Sequence, residues 1–137
     1  MQQIIQKPWG TEVVLTQENS PYTLKILNIN KNQRLSLQYH DIKLETLSII
    51  KGDVQIVWGE DKDNLKTETM LPNTGYTIKP NTIHRFIALS DSVLVEASTT
   101  EKGITFRLED DYARPDETEI LRSQPNRGYQ VKSNNGQ

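Results

Sequence analysis

Cysteine is absent from the 137-residue chain, and its absence excludes disulfides, thiolate catalysis, zinc fingers and iron–sulfur clusters. No apolar run exceeds four residues, far below the roughly 20 that a membrane-spanning helix requires. A basic excess is missing too: 16 Lys and Arg stand against 18 Asp and Glu, for a formal net charge of −2. Without that excess nucleic-acid phosphates would go unneutralised, so nucleic acid is not expected as a partner. The opening MQQIIQKPWG has neither an apolar core nor a small-residue cleavage pattern, and does not read as a secretory leader. With the missing thiols, this gives the expectation of a cytoplasmic protein with no membrane partner. Only 34% of residues are hydrophobic and mean hydropathy is −0.65. Both values suit a small polar globule, and the length suits one domain.

What the chain does have is alternation. Leu35, Leu37 and Tyr39 alternate with Ser36, Gln38 and His40. The segments TLKILNI (23–29), LETLSII (44–50), VQIVW (54–58), YTIKP (76–80), IHRFIAL (83–89) and SVLVEAS (92–98) are short and rich in Val, Ile, Leu and Thr. Turn residues separate them, as in Asn30-Lys31-Asn32, Lys51-Gly52-Asp53, Lys79-Pro80-Asn81 and Ser90-Asp91-Ser92. Short strands at this spacing predict an all-β sandwich or barrel. The charged stretch 59–67 reads as an exposed hairpin loop. Residues 1–114 form the predicted domain; residues 115–137 are polar and read as a poorly packed tail, with one helical turn over 117–122.

The two histidines, His40 and His84, both fall in strand segments. A strand histidine is ordinarily a packed or surface residue, so the reading depends on its company. Gln38 and His40 are two apart and share a strand face. Glu45 opens the next apolar stretch, and Gly52 closes it. His84 follows a Lys-Pro-Asn turn on a later strand. Two imidazoles, a carboxylate and an amide oxygen suit one divalent ion, whether zinc, manganese, nickel or iron(II).

Q-x-H, four residues, E, six residues, G, over Gln38, His40, Glu45 and Gly52, resembles the first motif of the cupins, with Gln in place of that motif's first His. The segment around His84 resembles the second. Lys7-Pro8-Trp9-Gly10, Leu35-Ser36-Leu37-Gln38, Ile78 through Arg85, and Phe106 through Arg114 stand in an order similar to one cupin branch. That branch is the type II mannose-6-phosphate isomerase domain, best known as the C-terminal half of bifunctional mannose-1-phosphate guanylyltransferases. The resemblance covers residues from about 7 to 114.

It implies a single cupin (double-stranded β-helix, jelly-roll) barrel with one divalent metal held inside by Gln38, His40, Glu45 and His84. Zinc is the first expectation, with manganese, nickel or iron open. The implied activity is an aldose–ketose isomerisation, mannose 6-phosphate to fructose 6-phosphate, by a homodimer that stands without the nucleotidyltransferase half. The departures are specific. Ile42 and Thr46 stand where the branch carries further histidines, Asn81 and Ala113 where it carries Gly, and Ala88 where it carries Asn. Asn tolerates the left-handed backbone, so the turn at Asn81 is expected to survive.

The resemblance also places three catalytic candidates. Lys25 matches a strand lysine that would stabilise an enediolate or meet phosphate, if it points inward rather than to solvent. Arg85 follows His84, so alternation turns it away from the metal unless a bulge intervenes, and an outer-face ion pair is the rival role. Arg114 would fold back to meet phosphate; alternatively it balances Glu109, Asp110 and Asp111. Arg107 is a lesser candidate, and Trp9 and Trp58 read as core or edge packing. Two rival functions remain: a carbohydrate-binding cupin without turnover, and another metal-cupin enzyme such as an oxygenase.

Overall fold

A computed structural model describes residues 3–125 and 127–129 of the chain. Within them lie eleven strands: β1 (Gln3–Lys7), β2 (Gly10–Val14), β3 (Thr23–Ile29), β4 (Leu37–His40), β5 (Glu45–Lys51), β6 (Val54–Gly59), β7 (Lys66–Thr69), β8 (Tyr76–Ile78), β9 (Ile83–Ala88), β10 (Ser92–Ser98) and β11 (Thr105–Glu109). A four-residue helix, α1 (Glu119–Arg122), and a 3₁₀ turn (Arg127–Tyr129) follow. One sheet has the order β1-β2-β3-β10-β5-β8 and the other β11-β4-β9-β6-β7. All pairings are antiparallel.

The two sheets meet through their inner faces. Leu27, Leu47, Ile49 and Leu94 from the larger sheet pack with Ile56, Phe86 and Ala88 from the smaller. Trp9 belongs to that core, and Trp58 packs at its edge, as the sequence suggested. TLKILNI and SVLVEAS coincide with β3 and β10, and the loop foreseen over 59–67 narrows to the β6–β7 connection at 60–65, its ends belonging to the two strands. The period of two explains the burial pattern of β3, in which Thr23, Lys25, Leu27 and Ile29 are buried and the residues between them only half-buried. Gly10, the first residue of β2, has φ 151°, and a side chain there would lie 1.9 Å from the Asn28 carbonyl oxygen, so glycine is required. Asn81 adopts φ 69°, the left-handed turn expected of it.

Part of the segment expected as a poorly packed tail is docked through Glu117 and Arg122. Glu117 pairs with Thr105 as an isolated bridge and is 5% exposed, because its carboxylate meets four cations of the barrel and tail. Arg122 Nη2 donates to the Gly103 carbonyl at 2.6 Å. Thr118 caps α1 by accepting the Leu121 N–H, so the helical turn is present near its expected place. Ion pairs rather than apolar burial dock this segment, since α1 buries no residue. Positions 126 and 130–137 of the expected tail lie outside the described residues.

Candidate functional site

Glu45 is the hub of the interior. It opens β5 facing inward, 3% exposed, with His40 at the end of β4 and His84 near the start of β9. Its Oε2 lies 2.7 Å from His40 Nε2 and 3.5 Å from His84 Nε2. One ligand atom from each of the three residues falls within 4.8 Å of the others. Gln38 is the register partner of His84 across β4 and β9 and lines the same cavity. The four residues proposed from sequence as ligands therefore share one space.

The donor set fits a cation. His84 Nδ1 lies 2.9 Å from the Thr82 carbonyl oxygen, which can only accept, so the proton sits on Nδ1 and the Nε2 lone pair faces Glu45. His40 Nδ1 is 2.8 Å from Thr105 Oγ1, an outer partner of the kind that orients a ligating imidazole. Glu45 Oε2 is buried without a well-formed hydrogen bond. A carboxylate oxygen facing an imidazole lone pair is an unfavourable pair of acceptors until a positive charge lies between them. Burial drives the His84 imidazole down to about 4, outweighing the pull of Glu45, so the ring is neutral at pH 7 as a ligand must be. Burial alone would raise the Glu45 carboxyl; the Lys43 ammonium, then His40 and His84, hold it far below the usual range.

The departures at Ile42 and Thr46 do not touch this cluster. Ile42 is 57% exposed, and Thr46 lies on the outer face of β5, where its hydroxyl meets Thr77 Oγ1 at 2.8 Å. A histidine at either place would point away from Glu45.

The catalytic candidates separate. Lys25 points inward, 2% exposed, and forms ion pairs with Glu12 at 2.9 Å and, closer still, with Glu101. Those carboxylates raise its ammonium against the effect of burial. Lys25 and Lys7 in turn lower the Glu12 carboxyl to about 2, although burial opposes them. Arg114 folds back to line the cavity, and Asp110 grips its guanidinium through Nε at 2.8 Å and Nη2 at 3.1 Å. Arg85 is a correction. It lies on the face of β9 opposite His84, where its Nε donates to the Leu35 carbonyl and its Nη1 to Glu109, and it does not line the cavity. Plain alternation operates there, with no bulge to turn it inward.

Sequence reasoning missed most of the remaining wall. Lys43 bridges Glu96 at 2.9 Å and Glu45 at 3.8 Å. Arg107 meets Glu117 at 3.6 Å and donates to the Pro115 carbonyl. Lys7, Glu12, Glu96 and Glu101 complete the charged lining. The available signal was parity: Glu96 shares it with Leu94, as Lys25 does with Leu27, so a charge at an inward position marks the cavity. The free space is about 60 Å³, room for a few waters.

Two antiparallel sheets enclosing the His/Glu/His cluster form the jelly-roll barrel of the cupin fold. The chain belongs to the family described as mannose-6-phosphate isomerase, C-terminal, which it matches over residues 1–117. Among solved structures it is similar to KdgF from Halomonas sp. (12% identity, 74% of this chain and 87% of that one, TM-score 0.61). It is also similar to the capsular polysaccharide assembling protein CapF from Staphylococcus aureus (11% identity, 86% of this chain and 32% of that one, TM-score 0.61). An oxalate decarboxylase from Bacillus subtilis aligns as well (11% identity, 72% of this chain and 27% of that one, TM-score 0.62). At these identities the likeness is one of fold, and the chain spans a third or less of the latter two. No curated protein matches the chain in sequence at a significant level.

Proposed function

We propose that the protein is a metal-dependent aldose–ketose isomerase of sugar phosphates, converting mannose 6-phosphate to fructose 6-phosphate. The observation that carries this reading is the cluster of His40, Glu45 and His84 in a cavity also lined by Lys25, Lys43, Arg107 and Arg114. His40, Glu45, His84 and Gln38 would hold the ion, with zinc first and manganese, nickel or iron as alternatives. Bound there, the ion would supply Lewis acidity to the carbonyl and hydroxyl oxygens at C1 and C2.

Charge balance supports the substrate class. Five cations (Lys7, Lys25, Lys43, Arg107, Arg114) and five carboxylates (Glu12, Glu45, Glu96, Glu101, Glu117) line the cavity, so its formal charge is zero before anything enters. One divalent cation makes it +2, which a phosphate near −2 would match. Arg114, pre-oriented by Asp110, is the group for bidentate contact with phosphate. Lys25 would donate to the enediolate once Glu101 turns aside. A homodimer in the cytoplasm belongs to the same reading, checked by light scattering on the purified chain.

One observation favours a second reading, a carbohydrate-binding cupin without turnover. The lining cations are already engaged by carboxylates of the same cavity, Lys25 by Glu12 and Glu101 and Lys43 by Glu96, so a sugar phosphate has to displace those partners to use them. Metal analysis followed by an assay of mannose 6-phosphate conversion, with and without chelator, separates the two. Near-stoichiometric metal with chelator-sensitive turnover supports the isomerase. Sugar binding without turnover at any metal loading overturns it in favour of the binding protein.

A further inference from the structure

We propose that Glu96 is the proton carrier of this cavity, the group that takes hydrogen from one sugar carbon and returns it to the next; the assignment rests on the isomerase reading above. The other four carboxylates of the lining are each committed. Glu45 contacts both imidazoles and Lys43. Glu12 meets Lys25 and Lys7. Glu101 meets Lys25, Lys43 and Arg122. Glu117 is surrounded by Lys7, Arg107, Arg122 and Arg127.

Glu96 has a single ion-pair partner among the described residues, the Lys43 ammonium at 2.9 Å. It is 4% exposed, and its Oε2 is the atom that meets the Lys43 ammonium. β10 turns it into the barrel with Leu94, and Lys43 links it to the ligand cluster by reaching Glu45 on its other side. A buried carboxylate with one counter-charge holds a proton more readily than one with several. Burial raises the Glu96 carboxyl against the pull of Lys43 and the weaker pull of Lys25, and the charges of Glu45 and Glu101 add to the rise. Glu45 is shifted the opposite way. Glu45 and Glu96, which share the Lys43 ammonium with Glu101 and are driven apart in this manner, divide the labour of holding charge and moving protons.

The step balances within the substrate. The Glu96 carboxylate takes the proton from C2, the C2–H electron pair becomes the C1=C2 bond of an enediol, and the carbonyl pair moves to O1. Protonated Glu96 returns its proton to C1, while the O2 proton is lost as C2=O2 forms and O1 gains one. No oxidant or reductant is consumed.

The test uses the full chain loaded with zinc, mannose 6-phosphate as substrate, and the variants Glu96→Gln and Glu96→Asp. Glu96→Gln is expected to lower kcat by on the order of 100-fold or more, a general base's usual share. It should leave KM and zinc stoichiometry near the wild-type values, and abolish uptake of solvent deuterium at the sugar carbon. Glu96→Asp should keep measurable turnover, with the acidic limb of its kcat–pH profile retained. Wild-type turnover with an equally active Glu96→Gln overturns the assignment and leaves the isomerase reading standing. Loss of zinc or of the fold in both variants also overturns it, since the residue is then structural. A wild-type chain that binds zinc but converts no sugar phosphate overturns the isomerase reading and this assignment together.

Discussion

The two ends of the barrel interior are built on opposite principles. Along β3 the inward face runs Thr23, Lys25, Leu27, Ile29, and antiparallel β10 presents Ser98, Glu96, Leu94 and Ser92 beside them. Register sets Lys25 opposite Glu96 and Leu27 opposite Leu94, and it sets Leu94 opposite Ile49 on β5. Two residues of travel along one strand pass from ion pairs to hydrocarbon. The apolar end is held by water's exclusion, in which each buried methylene contributes on its own. The charged end is held conditionally: a buried ion is tolerated only while its partners remain. A ligand that carries charge can therefore rearrange one end while the other keeps the fold.

The sharpest test of that contrast is removal of one charge. Lys25→Met leaves Glu12 and Glu101 without their closest cation, and should cost about 4 kcal/mol in urea unfolding. Adding Glu12→Gln and Glu101→Gln should recover more than half of the loss, because the stranded charges are then gone. At the apolar end Leu94→Ala should cost about 3 kcal/mol. An apolar truncation outside that cluster, such as Ile5→Ala on β1, should add to it without recovery. Additive behaviour at both ends would erase the distinction.

Acid should act on one end only. His84 ordinarily titrates near 6.5 and is held at about 4 in the fold. The unfolded chain therefore binds the extra proton between those values. Stability then rises with pH across that window and is lost as pH falls from about 6.5 towards about 4. For the metal-free protein this loss should reach at most about 3.5 kcal/mol, because each pH interval of one between the two values contributes about 1.4 kcal/mol. Chelated protein unfolded in urea at pH 7 and pH 4 measures it, and His84→Gln should lack it. Zinc added at pH 7 should raise the unfolding midpoint, since the native state alone presents the assembled ligands.

The same contrast explains what was legible in the sequence. β3 and β10 stand out because their apolar residues keep a period of two. β1, β2 and β11 do not, because their inward positions include Lys7, Glu12 and Arg107, whose charges break the hydrophobic signal. The ligands are legible through His and Glu spacing, which is local, and through resemblance. Lys43, Glu96 and Glu101 are not, because their partners are set by register between strands far apart in the chain. The place of Arg85 beside His84 in the sequence suggests the site, and alternation puts its side chain on the other face. The segment after Pro115 looks unpacked because it is docked by ion pairs, which leave no apolar pattern to read.

The smallest expected effect concerns the turn that aims Arg114. Ala113 adopts φ 53°, a left-handed conformation that its Cβ disfavours by about 1 kcal/mol. The turn persists because the Ala113 N–H donates to the Asp110 carbonyl and the Arg114 N–H donates to Asp110 Oδ2, with the guanidinium folded onto the same carboxylate. Asp110 thus holds both the backbone and the charge of Arg114, and burial of the pair stabilises a conformation that alanine alone would leave. Ala113→Gly removes the steric conflict but loosens the unfolded chain, so the net gain should be under about 1 kcal/mol. If Asp110 rather than residue 113 sets the aim of Arg114, KM for mannose 6-phosphate should not change in that variant, whereas Asp110→Asn should raise it. A changed KM in Ala113→Gly, with Asp110→Asn silent, would place the control of Arg114 in the backbone turn and not in its ion pair.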